Sequence, residues 1–168
     1  MHYPDQGICR QIIFPLIRKE MAIAEPAPFY ERERSGLERV DSIFALMKRD
    51  DYFGVLSKAA YLFCSVIDGH PFTNGNKRLA VALLSFFLLT NAYRVHAPSM
   101  ELIRRELRKA FPNLRWQRVK SFRHPHEYFF YHLALIIADR TQKGHMTFQQ
   151  EQQAVRELLV FITVKKAT

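Results

Sequence analysis

The stretch HPFTNGNKR at residues 70–78 decides how this chain is read, because it sets polar and conformationally special residues between two strongly apolar segments. In residues 55–67 the apolar positions recur every three or four residues, which predicts a largely buried helix. Residues 79–90 are apolar nearly all the way round, as in a central core helix. The motif is therefore predicted to be a loop that joins two core helices.

The residue types in this loop suit the chemistry of a bound anion. His70 can take a proton from an attacking hydroxyl at near-neutral pH, which makes it a candidate general base. Gly75 and Asn76 precede a long helix, where free backbone N–H groups and the helix dipole attract phosphate. Lys77 and Arg78 add positive charge at the same helix start, and a bound anion would offset their unfavourable interaction with the dipole.

Taken singly, these residues have ordinary explanations. His70 could cap the preceding helix, Pro71 and Gly75 could shape a turn, and Lys77 and Arg78 could be solvated surface charges. Their occurrence together in nine residues favours a chemical site.

Further helices are predicted from apolar periodicity and from start and stop signals, at residues 8–24, 37–47, 99–110 and 126–140. Pro15 should end or kink the first of these helices. Residues 25–36 have a composition typical of an exposed loop or hairpin. Residues 147–164 begin with a Gln-rich helical pattern and end with strand-like composition, which leaves the C-terminal end open.

These elements predict an all-α fold around the buried helix that follows the motif, with room for one small β-hairpin flap. A length of 168 residues with 48% hydrophobic residues fits a single domain over residues 1–168. Within it we expect a motif-bearing core at about 36–140 and a C-terminal extension at 141–168. Phe72 is the apolar residue of the loop, and we expect its ring to point inward and pin the loop.

The chain is basic, with a net charge of +9, and residues 99–124 hold eight basic residues against two acidic ones. Trp116, Phe122 and His124 alternate with cations there, as a surface that stacks bases and contacts phosphates would require. The tract could instead receive an acidic partner helix, or could be a solvated face. Without a recognised nucleic-acid module, nucleic acid is the less favoured partner.

Cysteine usage and hydropathy indicate the compartment. Cys9 and Cys64 are the only cysteines, so neither a disulfide framework nor a thiolate zinc site is expected, and a reducing cytoplasm is the default. The longest apolar run is too short to span a bilayer, and no secretory leader is evident. A cytoplasmic protein without membrane association is predicted.

The motif resembles the signature of the Fic/Doc family, His-x-Phe-x-acid-(Gly/Ala)-Asn-(Gly/Lys)-Arg, at His70, Phe72, Gly75, Asn76 and Arg78. The similarity extends over about residues 36–93. Members of this family are enzymes that use ATP to modify a hydroxyl of another protein. The resemblance implies that His70 activates a Ser, Thr or Tyr hydroxyl of the target.

The resemblance also implies a nucleotide site. Asn76 and Arg78 would bind the ATP phosphates, and Thr73, Gly75 and Lys77 would complete the site, with Lys77 and Arg78 also catalytic. Relatives with Gly at position 77 usually transfer AMP, whereas the Doc toxin carries Lys there and resembles a protein kinase that acts on a translation factor. Phosphoryl transfer is therefore preferred and AMP transfer is the alternative. An antitoxin and a translation factor or other cytosolic target are the expected protein partners.

Two positions depart from the family pattern. Asn74 replaces the acid that binds Mg²⁺, and a neutral amide should hold this cation less well, although its oxygen remains a possible ligand. A catalytically impaired relative is thus a further alternative. Val81 replaces the second Arg of AMP-transferring members, which agrees with the Doc-like branch.

Two other segments invite comparison with family features. Residues 25–36 lie where the family has a flap that holds the target segment, although an ordinary exposed loop explains them equally well. Residues 147–152 resemble a C-terminal self-inhibitory pattern, but Gln152 does not fit it, and a solvated helix face is predicted instead.

Overall fold

The fold is described by a computed structural model that covers residues 1–22, 25–96, 98–116 and 125–166. The elements follow one another as α1 (Gln6–Ile8), a π-helical turn (Cys9–Ile13), α2 (Phe14–Glu20), a 3₁₀ turn (Tyr30–Arg32), α3 (Arg34–Leu46), α4 (Gly54–Asp68), α5 (Asn76–Thr90), β1 (Tyr93–Val95), α6 (Met100–Ala110), α7 (Pro125–Ala138), α8 (Arg140–Lys143), α9 (Phe148–Ile162) and β2 (Thr163–Lys165). The predicted all-α fold is confirmed.

The core forms around the two helices that flank the motif. α4 and α5 pack on each other, α9 covers α4, and α7 contacts both α4 and α5. Phe63 on α4, together with Leu79, Leu83 and Phe87 on α5, is completely shielded from solvent. Each such side chain contributes roughly 1.5–3 kcal/mol on leaving water. The motif loop is therefore fixed at both ends by the most buried part of the molecule.

Pro15 was predicted to end or kink the first helix; the helical segment continues through this residue, and its regular α-helical bonding is interrupted by a π-helical turn. This turn, at Cys9–Ile13, comes just before Pro15, and the Phe14 N–H bonds to the Cys9 carbonyl. The wider turn accommodates a ring that would otherwise crowd the carbonyl four residues earlier and that has no N–H to donate. Pro15 then lies in the first turn of α2, the position in a helix that tolerates proline best.

Residues 25–36 form a loop that ends in the first turn of α3. The described part of the chain has its small sheet elsewhere, where Tyr93–Val95 pairs antiparallel with Thr163–Lys165. The loop contains the Tyr30–Arg32 turn, and the Tyr30 side chain is completely buried. This segment is thus anchored to the core rather than freely exposed along its whole length.

The C-terminal segment contacts the end of α4 through a partly buried ion-pair cluster. The Lys143 ammonium lies 2.9 Å from the Asp68 carboxylate at the end of α4 and also contacts the Glu151 carboxylate. Glu151 is 1% exposed, so the predicted solvated face is wrong at this position. The strand-like residues 159–162 belong to α9, because this helix packs on α4 before the chain turns to pair with β1.

Both cysteines are buried and free. Burial, with Asp5 and Asp41 nearby, raises the pKa of Cys9 to about 12, and burial raises the pKa of Cys64 well above its ordinary value. Neither thiol is a candidate nucleophile. Among the described residues, no helix combines the length and apolar character needed to cross a bilayer.

A capping box at the start of α9 should contribute measurably to stability. Thr147 Oγ1 accepts from the Gln150 N–H at 3.2 Å, and Gln150 Oε1 accepts from the Thr147 N–H at 2.9 Å. Thr147→Ala should lower the free energy of unfolding by about 1 kcal/mol, measured by urea denaturation. Gln153→Ala, at an exposed position of the same helix, serves as the control; an equal loss in both variants would contradict a specific capping effect.

Candidate active site

Gly75 sets the geometry of the helix start. It adopts φ +80, in the left-handed region that favours glycine, and a Cβ at this position would lie 2.3 Å from the Tyr30 hydroxyl oxygen and 2.8 Å from Pro28 Cγ. The first helical bond of α5 runs from the Leu79 N–H to the Gly75 carbonyl at 3.0 Å. The sequence therefore needs glycine here both for backbone conformation and for space.

Residues 76–78 form the first turn of α5, so their backbone N–H groups have no acceptor within the helix. The capping residue is Gly75, which has no side chain to accept from them. Within the described part of the chain, no protein acceptor for these N–H groups is found. The helix dipole places partial positive charge at the same point. Lys77 is exposed beside them and forms no ion pair with any described residue. This helix start can accept a phosphate without breaking a protein hydrogen bond.

Asn76 closes the motif loop with its side chain. Its Oδ1 accepts from the Phe72 N–H at 3.0 Å, and its Nδ2 donates to the Phe72 carbonyl at 2.7 Å. The side chain is only 7% exposed. Its polar atoms are therefore engaged inside the loop, and contact with a phosphate falls to its backbone N–H rather than to its amide group.

His70 is exposed to solvent at the edge of this loop. Its Nδ1 lies 3.4 Å from Asn76 Nδ2, and its carbonyl accepts from Arg39 Nη1 at 3.4 Å. Both distances are longer than those of ordinary hydrogen bonds. The imidazole therefore lies close to Asn76, at the helix start, without a hydrogen bond that fixes its tautomer. The residue has φ 40, a strained backbone conformation for a non-glycine residue.

Phe72 anchors the loop in the core. The ring is 2% exposed and packs edge-on against the ring of Tyr30, with centroids 4.9 Å apart, and against Phe14 at 6.2 Å. A Cβ at Gly36 would lie 2.4 Å from Phe72 Cδ1, so the start of α3 also needs glycine to approach this ring. The loop conformation thus depends on three separate segments of the chain.

The loop of residues 25–33 is hydrogen-bonded to the motif at three points. Arg78 donates to the carbonyls of Glu25 at 3.0 Å and Pro26 at 3.3 Å. The Tyr30 hydroxyl donates to the Gly75 carbonyl at 2.9 Å. The third point is a carboxylate, Glu33, whose Oε2 accepts from both the N–H and the hydroxyl of Thr73 at 2.9 Å.

Tyr30 and Glu33 are site residues that the sequence did not single out. The only signal was an aromatic residue within a charged, proline-containing segment, and such residues often lie in exposed loops. Thr73 and Arg78 were predicted to contact the nucleotide, and in the structure both bond to this loop. Lys77 remains turned to solvent.

Asn74 is exposed, and its Oδ1 accepts from the Gly75 N–H at 2.6 Å. Among the residues that the structure describes, His, Cys, Asp and Glu side chains form no group of three or more that could hold a metal. A divalent cation at this site would have to rely on single oxygen ligands together with those of the nucleotide.

The sequence matches the model of the Fic/DOC family over residues 8–88, which include the whole motif. The chain belongs to the Fic/DOC family. The resemblance recognised from the sequence begins at about Gly36, whereas the match to the family model begins well before it. The match therefore also covers the loop of residues 25–33, which contacts the motif. Comparison with curated proteins and with solved structures finds no match.

The basic tract lies on another part of the surface. Arg104, Arg105 and Arg108 of α6 line a groove of about 950 Å³. The guanidinium groups of Arg104 and Arg108 lie 5.9 and 5.7 Å from the centre of the Trp116 ring, which stacks with Tyr128. The indole is thus packed within the protein surface and does not form an open platform for bases. Arg118, Lys120, Phe122, Arg123 and His124 lie outside the described residues.

Loss of the Asn76 side chain should weaken the whole loop. In Asn76→Ala the buried Phe72 N–H loses its acceptor, and an unsatisfied buried donor costs roughly 1–3 kcal/mol. We expect the free energy of unfolding in urea to fall by this amount. Asn74→Ala, which changes an exposed amide of the same loop, should cost less; equal losses would show that Asn76 does not brace the loop.

The burial of the Tyr30 hydroxyl, which bonds to the Gly75 carbonyl, can be tested through the pH dependence of stability. Burial raises its pKa from 10.0 to about 12, with a smaller opposing effect of Arg78. Because the folded state retains this proton when the unfolded chain has lost it, stability should fall as pH rises from 10 to 12. Unfolding measured at pH 9 and pH 11 should show a smaller decline in Tyr30→Phe than in wild type. Tyr131→Phe should not reduce the decline.

Proposed function

We propose that the protein transfers a phosphoryl group from ATP to a Ser, Thr or Tyr hydroxyl of another protein. The observation that carries this proposal is the exposed His70 imidazole, held close to a helix start whose amide N–H groups have no acceptor among the described residues. Family membership supports a nucleotide-dependent modification in general. The choice of phosphoryl transfer rests on the residues at positions 77 and 81.

The chain's residues would divide the reaction between them. His70 takes the proton of the attacking hydroxyl as the hydroxyl oxygen bonds to the γ-phosphorus of ATP, and the bond from this phosphorus to the bridging oxygen breaks to release ADP. The N–H groups of residues 76–78 and the Lys77 ammonium stabilise the negative charge of the phosphates. Arg78 contributes a bidentate donor once its hydrogen bonds to Glu25 and Pro26 open.

Lys77 favours phosphoryl over AMP transfer. A lysine side chain occupies space that glycine would leave open, and its charge can hold one phosphate of the nucleotide in a different place. At position 81, valine packs against the core and offers no cation to a phosphate. AMP transfer to a protein hydroxyl remains the alternative reaction of the same site.

Mg²⁺ is the cofactor that we propose. The donor atoms at the loop are oxygens, such as Asn74 Oδ1, and hard oxygen ligands suit this cation. When bound with the nucleotide, Mg²⁺ would neutralise and orient its phosphates. A single amide oxygen from the protein would bind Mg²⁺ weakly. A catalytically impaired enzyme is therefore the alternative.

The proposed partners are a cytosolic target such as a translation factor and, if the protein is a toxin, an antitoxin. The cationic groove of α6 would suit an acidic protein segment. A basic nucleic-acid-binding domain is less favoured, because the Trp116 ring is already packed between Tyr128 and two arginines.

The reaction can be tested with two labelled forms of ATP. In a bacterial lysate supplemented with the protein, γ-labelled ATP should label a protein, whereas α-labelled ATP should not. His70→Ala should lower the labelling rate by about 10²- to 10⁴-fold, the usual contribution of a general base. His145→Ala, another exposed histidine, is the matched control and should keep full activity.

Each alternative predicts a different pattern of label. Transfer of α-label would establish AMP transfer. Absence of both labels, with no nucleotide binding in calorimetry, would overturn the enzymatic proposal. Labelling that survives in His70→Ala would overturn the assignment of the base.

A further inference from the structure

The motif lacks the carboxylate that a phosphate-bound Mg²⁺ prefers. Asn74 is neutral, and its Oδ1 already accepts from the Gly75 N–H at 2.6 Å. A Mg²⁺ ion bound with a nucleotide usually has one or two protein carboxylates as ligands. The missing negative charge would have to come from outside the motif.

Glu33 is a carboxylate that contacts the motif loop from the preceding segment. Its Oε2 accepts from the Thr73 N–H and the Thr73 hydroxyl, each at 2.9 Å, which fixes the position of the group. Within residues 1–22, 25–96, 98–116 and 125–166, no hydrogen bond to its Oε1 is found, and Glu33 joins no ion pair. The side chain is half-buried, so a cation can still reach it.

Glu33 also lies close to Asn74 along the motif loop. Its carboxylate is bonded to Thr73, the residue directly before Asn74 and three residues before Asn76, where α5 begins. The carboxylate is therefore held beside the part of the motif that carries Asn74. A positioned oxygen ligand with a free second oxygen is what the donor set at Asn74 lacks.

We propose that Glu33 supplies the carboxylate missing at Asn74 and binds the Mg²⁺ of the Mg²⁺–nucleotide complex, directly or through a metal-bound water. This inference rests on the proposed function. It gives the loop of residues 25–33 a chemical role in addition to its packing on the motif.

A purely structural role for Glu33 makes a different prediction. If the carboxylate only tethers the loop to Thr73, a glutamine should replace it, because its amide oxygen can accept the same two hydrogen bonds. If the carboxylate binds the cation, Glu33→Gln keeps the tether but loses the charge. Gln at this position therefore separates the two roles with little change in shape.

The experiment measures binding of a non-hydrolysable ATP analogue by calorimetry, with Mg²⁺ and with EDTA. Four proteins are compared: wild type, Glu33→Gln, Asn74→Asp and the double variant. Glu33→Gln should lose about tenfold of the affinity in Mg²⁺, as expected for a lost metal-binding group, and little in EDTA. Asn74→Asp should restore most of this loss in the double variant and should raise the affinity less in the wild-type background, where the Glu33 carboxylate is already present.

Glu38→Gln is the matched control, because it removes the same charge from an exposed position on α3 that pairs with Arg34. It should not change the Mg²⁺ dependence. Thermal melts of all variants should agree within a few degrees, which would show that Glu33→Gln retains the fold.

The outcomes separate this inference from the proposed function. Equal Mg²⁺ dependence in wild type and Glu33→Gln, with the analogue still bound, would overturn the role of Glu33 and leave the proposed function intact. An equal gain from Asn74→Asp in the wild-type and the Glu33→Gln backgrounds would also overturn it, because the two carboxylates would then act independently and would not substitute for each other. No binding of the analogue to wild type under either condition would overturn both.

Discussion

The hydrogen bonds between the Asn76 side chain and the backbone of Phe72 are the constraint on which the site depends. They close a short loop in which the Phe72 ring is buried in the core and His70 is exposed to solvent. Because both polar atoms of the amide are used in this way, the start of α5 is tied to the backbone of Phe72. Gly75 makes the geometry possible, since no side chain fits between the loop and Tyr30.

The loop of residues 25–33 forms the second wall of the site. Its contacts with Gly75, Thr73 and Arg78 are all polar and lie at the edge of the core, whereas Tyr30 secures it in the interior. Contacts of this kind cost less to open than buried apolar packing. The arrangement thus combines a helix start fixed in the core with a neighbouring segment that is joined to it by hydrogen bonds.

Positive charge is concentrated at the start of α5. Lys77, Arg78 and the helix dipole together concentrate positive potential at one point of a chain whose net charge is +9. Glu33 is the carboxylate that contacts this loop, through Thr73, and it forms no ion pair with any residue that the structure describes.

The sequence by itself determined the helical fold and the position of the site. Apolar periodicity identified α3 to α6 because each helix buries one stripe or its entire surface, and the combination of His70, Gly75 and Asn76 identified the loop before any coordinates. These features are local, so they can be read from neighbouring residues.

The tertiary structure decided which partners these residues find. Nothing local indicates that Tyr30 and Glu33, more than thirty residues before the motif, bond to Gly75 and Thr73, or that Glu151 is buried against Lys143. The same is true of the short strand Thr163–Lys165, which forms because β1 lies beside it. These outcomes depend on contacts between distant segments, and such contacts leave little trace in local composition.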